Sequence, residues 1–337
     1  MTTYQHGGDI KGFAKSIGCD VSQVIDLSSN INHIKPKIEC DFNSLDISAY
    51  PSYEDTYQAI SSHYGISTSN LALYNGASSA IFALLSNHTL IDTKRCYVYT
   101  PAYLEYKRAC KLFGYEYIPI DRFSNISHDI EPNSLVIFVN PSTPDGRYYQ
   151  LQDMLQRWMQ KDATIIIDES FLEFCDGKSS LSHIQTYTKL YIIKSMTKFY
   201  GSAGIRVGAV ISNPTNISTL QQYAPSWQLS EFDTTYIKEA LKDTTLKAKT
   251  LKELEINKSQ LIKVLQQSSY VKHIYHSDVN YLLVELNITA STFQEILKKH
   301  KILIRDCSNF DGLDEYHIRI AIKEKETIIQ LSKSISI

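Results

Sequence analysis

The stretch Ser195-Met196-Thr197-Lys198-Phe199-Tyr200-Gly201-Ser202-Ala203-Gly204-Ile205-Arg206-Val207-Gly208 decides how the chain is read. It follows a short apolar run, Leu190 to Ile193, and sets one lysine among hydroxyls, with an arginine further on. Only the neutral amine of a lysine attacks an aldehyde, so a lysine with that task must sit where its ammonium gives up a proton. Hydroxyls and a neighbouring guanidinium can hold a phosphate dianion, the guanidinium through bidentate charge-assisted bonds. An arbitrary lysine on a glycine-rich loop is an ordinary surface residue. The joint pattern S-x-T-K followed by G-x-R-x-G is far more specific than that.

Outward from this segment, residues 70–215 alternate short apolar runs with amphipathic ones. The pattern predicts strands at Cys96 to Tyr99, Leu135 to Val139, Ala163 to Ile167, Leu190 to Ile193 and Val207 to Ile211. Helices are expected from Leu104 to Phe113, stopped at Gly114, and from Leu151 to Gln160. Such alternation implies an α/β fold with a mainly parallel sheet covered on both faces. Ligands of these sheets bind beyond the carboxyl ends of the strands, which is where the polar motifs fall. After residue 230 the texture changes. A Lys/Glu-rich, helix-biased stretch runs from Thr234 to Gln267. Strands are then expected at Tyr281 to Leu286, Ile302 to Arg305 and Tyr316 to Ile322, with a helix at Thr292 to His300. The expected organisation is an N-terminal segment (1–40) packing with a smaller α+β domain (231–337), and a large domain (41–230).

Composition narrows the function classes. The chain has 337 residues, 43% hydrophobic and 21% charged, with a net charge of −2. That is the balance of an ordinary globular protein, and it leaves no electrostatic footprint for nucleic acid or a membrane surface. The N-terminus is polar, and no apolar run approaches the roughly 20 residues needed to span a bilayer. The six cysteines are scattered without a C-x-x-C pair, so reduced thiols in a cytoplasmic protein and no metal site are expected.

The Lys198 segment resembles the cofactor-lysine region of fold-type I pyridoxal-phosphate enzymes, in the aminotransferase branch that includes histidinol-phosphate aminotransferases. The resemblance implies pyridoxal 5'-phosphate as cofactor and Lys198 as its Schiff-base lysine, with Ser195 and Arg206 at the cofactor phosphate. Three further segments match in order. Asn75-Gly76-Ala77-Ser78 is similar to the helix-start loop whose amides cradle that phosphate, which implicates Ala77 and Ser78. Tyr103 matches the aromatic that stacks on the pyridine ring. Asp168 matches the aspartate that pairs with the ring nitrogen. Two departures stand out. Thr143, in Asn140-Pro141-Ser142-Thr143-Pro144-Asp145-Gly146, replaces an asparagine that donates to the cofactor's phenolate oxygen, and Phe171 replaces a tyrosine that does the same.

Both ends of the chain sharpen the resemblance. His6-Gly7-Gly8-Asp9, Asp26-Leu27-Ser28-Ser29-Asn30, Ile302 to Leu313 and Tyr316 to Ile322 resemble the threonine-phosphate decarboxylase family, which also carries phenylalanine at the position of Phe171. Family roles carried over residue by residue place Arg319 at the substrate carboxylate, and Arg305, His6 and Asn30 at the substrate phosphate. Tyr50, in Ala49-Tyr50-Pro51, matches a tyrosine that reaches the cofactor phosphate of a neighbouring subunit, implying a homodimer with shared sites. The expected activity is decarboxylation of a phosphorylated amino acid, and the alternative is a histidinol-phosphate-type aminotransferase.

Overall fold

A computed structural model describes residues 7–88 and 93–335 of the chain. A two-residue strand, β1 (Ile25–Asp26), comes first. Seven strands then build the large sheet: β2 (Leu71–Asn75), β3 (Arg95–Thr100), β4 (Glu116–Asp121), β5 (Leu135–Val139), β6 (Thr164–Asp168), β7 (Leu190–Ser195) and β8 (Val207–Ile211). They lie in the order β2-β8-β7-β6-β5-β3-β4. Only β8 runs against its neighbours, β2 and β7, and the other pairings are parallel.

The sheet has a core on each face, as its uninterrupted apolar strands require. In β5, Val136 and Phe138 pack with Leu155 and Trp158 of the helix Gln152–Gln160. Leu135, Ile137 and Val139 face the other way, onto Ala80, Ile81 and Tyr106 of the helices Gly76–Ser86 and Leu104–Leu112. The same alternation continues in β6. Ile166 enters the second core, so Asp168, two residues on, projects from the same face toward Tyr106.

The smaller sheet is antiparallel. The remaining strands are β9 (Val271–Ile274), β10 (Tyr281–Leu286), β11 (Ile302–Leu303), β12 (Arg305–Asp306) and β13 (His317–Ala321), and the smaller sheet takes four of them in the order β12-β13-β10-β9. The strand expected from Ile302 to Arg305 is thus divided: β11 leaves this sheet and pairs in parallel with β1. Gln294 fills the break, its amide donating to the Ile302 carbonyl at 2.8 Å while its oxygen accepts from the Ile304 N–H at 3.0 Å. The Thr234 to Gln267 stretch is also divided, into the helices Glu231–Lys242 and Leu246–Gln266. Asp243 breaks it by accepting from the N–H and hydroxyl of Thr245 at 3.0 and 2.6 Å, a local alternative to helical bonding.

The segment after β1 crosses from the small sheet to the large one. The Leu27 carbonyl accepts from the Ala321 N–H at 2.8 Å. Asn32 then donates from its backbone to the Lys198 carbonyl at 3.0 Å and from its side chain to the Phe199 carbonyl at 2.9 Å. No helix among the described residues is long and apolar enough to cross a membrane.

Candidate active site

A cavity of about 180 Å³ opens at the carboxyl ends of the large-sheet strands, beneath the small sheet. The large domain lines it with Ala77, Ser78, Tyr103, Thr143, Asp168, Ser195, Lys198 and Arg206. Asn30, Arg305 and Arg319 close it from the other side. Eleven of the residues read from sequence therefore converge on one space, delivered by the ends of large-sheet strands and the segments that follow them, by the N-terminal crossing, and by β12 and β13.

Lys198 lies on the single helical turn Met196–Phe199, directly after β7. Burial, reinforced by the Arg319 and Arg206 guanidiniums, pushes its amine down from the ordinary 10.5 to about 8, against the opposing pull of Asp168. An amine in that range is partly neutral near physiological pH and is available to a carbonyl carbon.

Beside it is an anion corner. The helix Gly76–Ser86 points its N-terminus into the cavity, with its first amides unpaired and its dipole favouring negative charge. Gly76 has φ +77°, and a Cβ there would stand 2.5 Å from Arg206 Nη2. A side chain at this position would displace the guanidinium, so the glycine lets the arginine lie directly over the helix start. Ser195 and Thr197 add two hydroxyls 2.9 Å apart.

Between the corner and the sheet lies a flat slot. The Tyr103 hydroxyl stands 3.2 Å from Ser78 Oγ. Asp168, 4% exposed, accepts from the Tyr106 hydroxyl at 2.6 Å on one oxygen. Its other oxygen accepts from the Ser170 N–H at 2.9 Å and the Ser170 hydroxyl at 2.5 Å. Burial pushes its carboxyl above the usual range, with these hydrogen bonds opposing. No cation among the described residues forms an ion pair with it, so a buried carboxylate faces the cavity without a counter-charge.

The opposite wall is cationic. Arg305 and Arg319 are register partners on antiparallel β12 and β13, and both are buried. Arg319 donates to the Ser28 carbonyl at 2.9 Å and to Thr143 Oγ1 at 3.2 Å, and it lies over the Tyr281 ring at 5.2 Å. Its Nε is buried without a hydrogen-bond partner. Arg305 donates to Asn309 Oδ1 at 2.8 Å and lies over Phe310 at 5.2 Å. Burial and the charge of Arg319 both act to lower the proton affinity of Arg305. Asn30 is buried beside them, its carbonyl held by the Asn280 amide at 2.9 Å.

Two sequence-derived residues stand apart. Tyr50 is 75% exposed, outside the cavity, with its ring stacked 4.2 Å from that of Trp227. His6 lies outside the described residues. Conversely, the structure adds groups that the motifs did not single out. Tyr106 follows Tyr103 by one helical turn, a spacing that places both on one face and could have flagged it. Tyr281, buried against Phe171 at 5.1 Å and donating to the Ser142 carbonyl at 2.7 Å, gave no such signal. Nor did the buried ion pair of Lys194 with Glu169 at 2.7 Å.

A reactive amine, a phosphate-sized anion corner and a slot ending in an uncompensated carboxylate form the donor set of a phosphorylated, nitrogen-containing aromatic aldehyde. The family model "Aminotransferase class I and II" matches residues 24–335, and the chain belongs to that family. It is a pyridoxal-phosphate-dependent enzyme of fold type I. The chain is 27% identical, over 97% of its length, to the adenosylcobalamin biosynthesis bifunctional protein CobDQ of Leptospira interrogans, and spans 40% of that protein. It is 26% identical to the threonine-phosphate decarboxylase of Salmonella typhimurium, with 94% of this chain and 92% of that one covered. The histidinol-phosphate aminotransferase of Methanosphaera stadtmanae is also 26% identical, over 99% and 96%. Among solved structures, the histidinol-phosphate aminotransferase of Clostridium acetobutylicum superposes with a TM-score of 0.80 at 27% identity, covering 93% of this chain and 98% of that one. The L-threonine-O-3-phosphate decarboxylase of Porphyromonas gingivalis gives 0.80 at 21%, covering 92% and 98%, a likeness of fold.

Proposed function

We propose that the chain decarboxylates an O-phosphorylated β-hydroxy amino acid, L-threonine O-3-phosphate foremost and L-serine O-phosphate next, to carbon dioxide and an amino-alcohol phosphate for a cobamide nucleotide loop. The observation that carries this reading is the pairing of Arg305 with Arg319 across β12 and β13, opening onto the cavity of Lys198. Two buried guanidiniums side by side call for a ligand with two anionic ends.

Lys198 binds the cofactor aldehyde. Ala77, Ser78, Ser195 and Arg206 hold the cofactor phosphate, Tyr103 covers the ring, and Asp168 pairs with the ring nitrogen. Thr143 offers its hydroxyl proton to the ring oxygen while accepting from Arg319. When bound, pyridoxal phosphate supplies an electron-accepting ring for the bond broken at the substrate Cα. Arg319 grips the carboxylate, and Arg305 with Asn30 and His6 grips the phosphate. Anchoring both ends would fix the substrate's orientation at Cα, and with it which of the Cα bonds is broken. Phe171 offers no hydroxyl to the ring oxygen, in keeping with the chain's resemblance to the decarboxylase family.

A histidinol-phosphate-type aminotransferase is the second reading, favoured by the 27% identity to the Clostridium structure. The separating experiment follows carbon dioxide and amino-group transfer from phosphothreonine with and without 2-oxoglutarate. Carbon dioxide release without a keto acid supports decarboxylation. Strict dependence on the keto acid overturns it.

The exposed Tyr50 completes the cofactor-phosphate corner of a second copy, making the enzyme a homodimer with shared sites. Mixing an inactive Lys198→Ala chain with an inactive Tyr50→Ala chain then restores activity. Failure to restore it, with mixed dimers demonstrated, refutes the shared site.

A further inference from the structure

We infer that Tyr106 is a positioning residue that keeps the proton of the Asp168–ring-nitrogen pair on the cofactor side, and so sets how strongly the ring accepts electrons. This rests on Asp168 facing the ring nitrogen, and the test below separates the two claims.

Asp168 is buried among groups of mixed charge. On its own strand end, Glu169 is neutralised by Lys194 at 2.7 Å and by the Ser179 hydroxyl at 2.6 Å. Lys198 faces it from the turn after β7, and Arg206 and Arg319 lie across the cavity. Tyr103 and Tyr281 complete the surroundings, each with burial pushing its phenol upward. None of these is within hydrogen-bond distance of the carboxylate. Among the described residues its direct hydrogen-bond partners are Tyr106 and Ser170.

The two partners differ in kind. Ser170 is local, two residues along the chain, and closes a turn that many Asp-x-Ser sequences form. Tyr106 comes from the helix Leu104–Leu112 and is wholly buried. Burial and the adjacent carboxylate both drive its phenol far upward, so it remains a neutral donor throughout the working pH range. A donor on a carboxylate stabilises the ionised form. The 2.6 Å bond opposes the upward push of burial on the Asp168 carboxyl, and so favours a shared proton resting on the ring nitrogen. Tyr103, one turn earlier on the same helix, covers the ring. One rigid element therefore fixes both the ring's plane and its protonation.

Holoenzyme reconstituted with cofactor labelled with ¹⁵N at the ring nitrogen provides the readout. In the parent protein the resonance is that of a protonated pyridine. Tyr106→Phe, which removes only the hydroxyl, moves it toward the unprotonated position. It also lowers kcat about tenfold while leaving KM unchanged. Tyr99→Phe is the control: it deletes another buried hydroxyl, the acceptor of Trp158 Nε1 at 3.3 Å, on the far face of the sheet. It leaves the resonance in place. An unmoved resonance in Tyr106→Phe, with Asp168→Asn moving it, overturns the role of Tyr106 alone. An unmoved resonance in Asp168→Asn overturns the placement of Asp168 as well. Neither outcome depends on whether the substrate is decarboxylated or transaminated.

Discussion

Arg305 and Arg319 stand directly opposite each other on β12 and β13, two buried cations in register where a sheet ordinarily pairs opposite charges. Like charges in this position destabilise a sheet. The arrangement therefore costs the sheet stability, a cost that the anionic substrate proposed above would offset.

Replacement of either arginine should reveal that division of labour. Arg305→Ala weakens phosphorylated substrates by about 2–5 kcal/mol and leaves weak binding of unphosphorylated amino acids almost unchanged. Arg319→Ala weakens both classes alike. Steady-state kinetics and ligand titration with phosphothreonine and threonine test this, and an equal loss for both in Arg305→Ala contradicts the phosphate assignment.

Lys198 gives a pH dependence of defined direction. In the folded chain its amine titrates at about 8, and in the unfolded chain near 10.5. Between those values the unfolded state binds more protons, so cofactor-free protein gains stability from this group as pH rises through the window. Below pH 8 both states are protonated and the full penalty of the buried charge persists. Aldehyde capture by the cofactor-free enzyme accelerates up to about pH 8 and then levels. Stopped-flow absorbance measures the capture. Borohydride reduction with peptide mapping must find the pyridoxyl group on Lys198, and its appearance on another lysine rejects the assignment.

Substrate choice turns on the phosphate more than on the methyl group. One methyl is worth about 1–3 kcal/mol of discrimination. On the proposed reading, the anchors Asn30, Arg305 and Arg319 would all address anionic ends. Phosphothreonine and phosphoserine are both consumed at measurable rates, whereas free threonine and serine are not. Mass spectrometry of the products decides it, and comparable turnover of an unphosphorylated amino acid rules out the phosphate anchor.

The Lys194–Glu169 pair predicts a stability effect. Both side chains are almost wholly buried, 3% and 2% exposed, and Glu169 also accepts from the Ser180 N–H at 2.7 Å. Removing one partner leaves a buried charge, so Lys194→Met lowers stability by about 3–5 kcal/mol. The double variant Lys194→Met with Glu169→Gln recovers part of that loss. Denaturant unfolding provides the measurement, and a single variant as stable as the parent refutes the argument.

Most of the large sheet was legible because its strands are buried on both faces and read as continuous apolar runs. The two edge strands, β2 and β4, were missed; β4 is half exposed and contains Pro119. The division of Ile302 to Arg305 was invisible because it depends on Gln294 bridging a break between two sheets. The candidate residues near the strand ends were picked out by their resemblance to family motifs rather than by spacing alone. Those contributed by packing, such as Tyr106 and Tyr281, emerge only when two helices and two sheets are brought together. Tyr50 shows the converse, a residue whose motif is clear while its ring points away from its own chain's cavity.

The pairing of β1 with β11 has a consequence for biosynthesis. Residues 25–26 leave the ribosome long before their partners, 302–303, have been made. Until then Asn30 and the Asn32 clasp on the lysine turn have no fixed edge to hang from. The large sheet can collapse and bury its core during translation, but the wall bearing both arginines closes only after residues 302–319 have emerged. Contacts of such sequence separation form slowly. A nascent chain carries its reactive amine well before it carries the means to select what that amine meets.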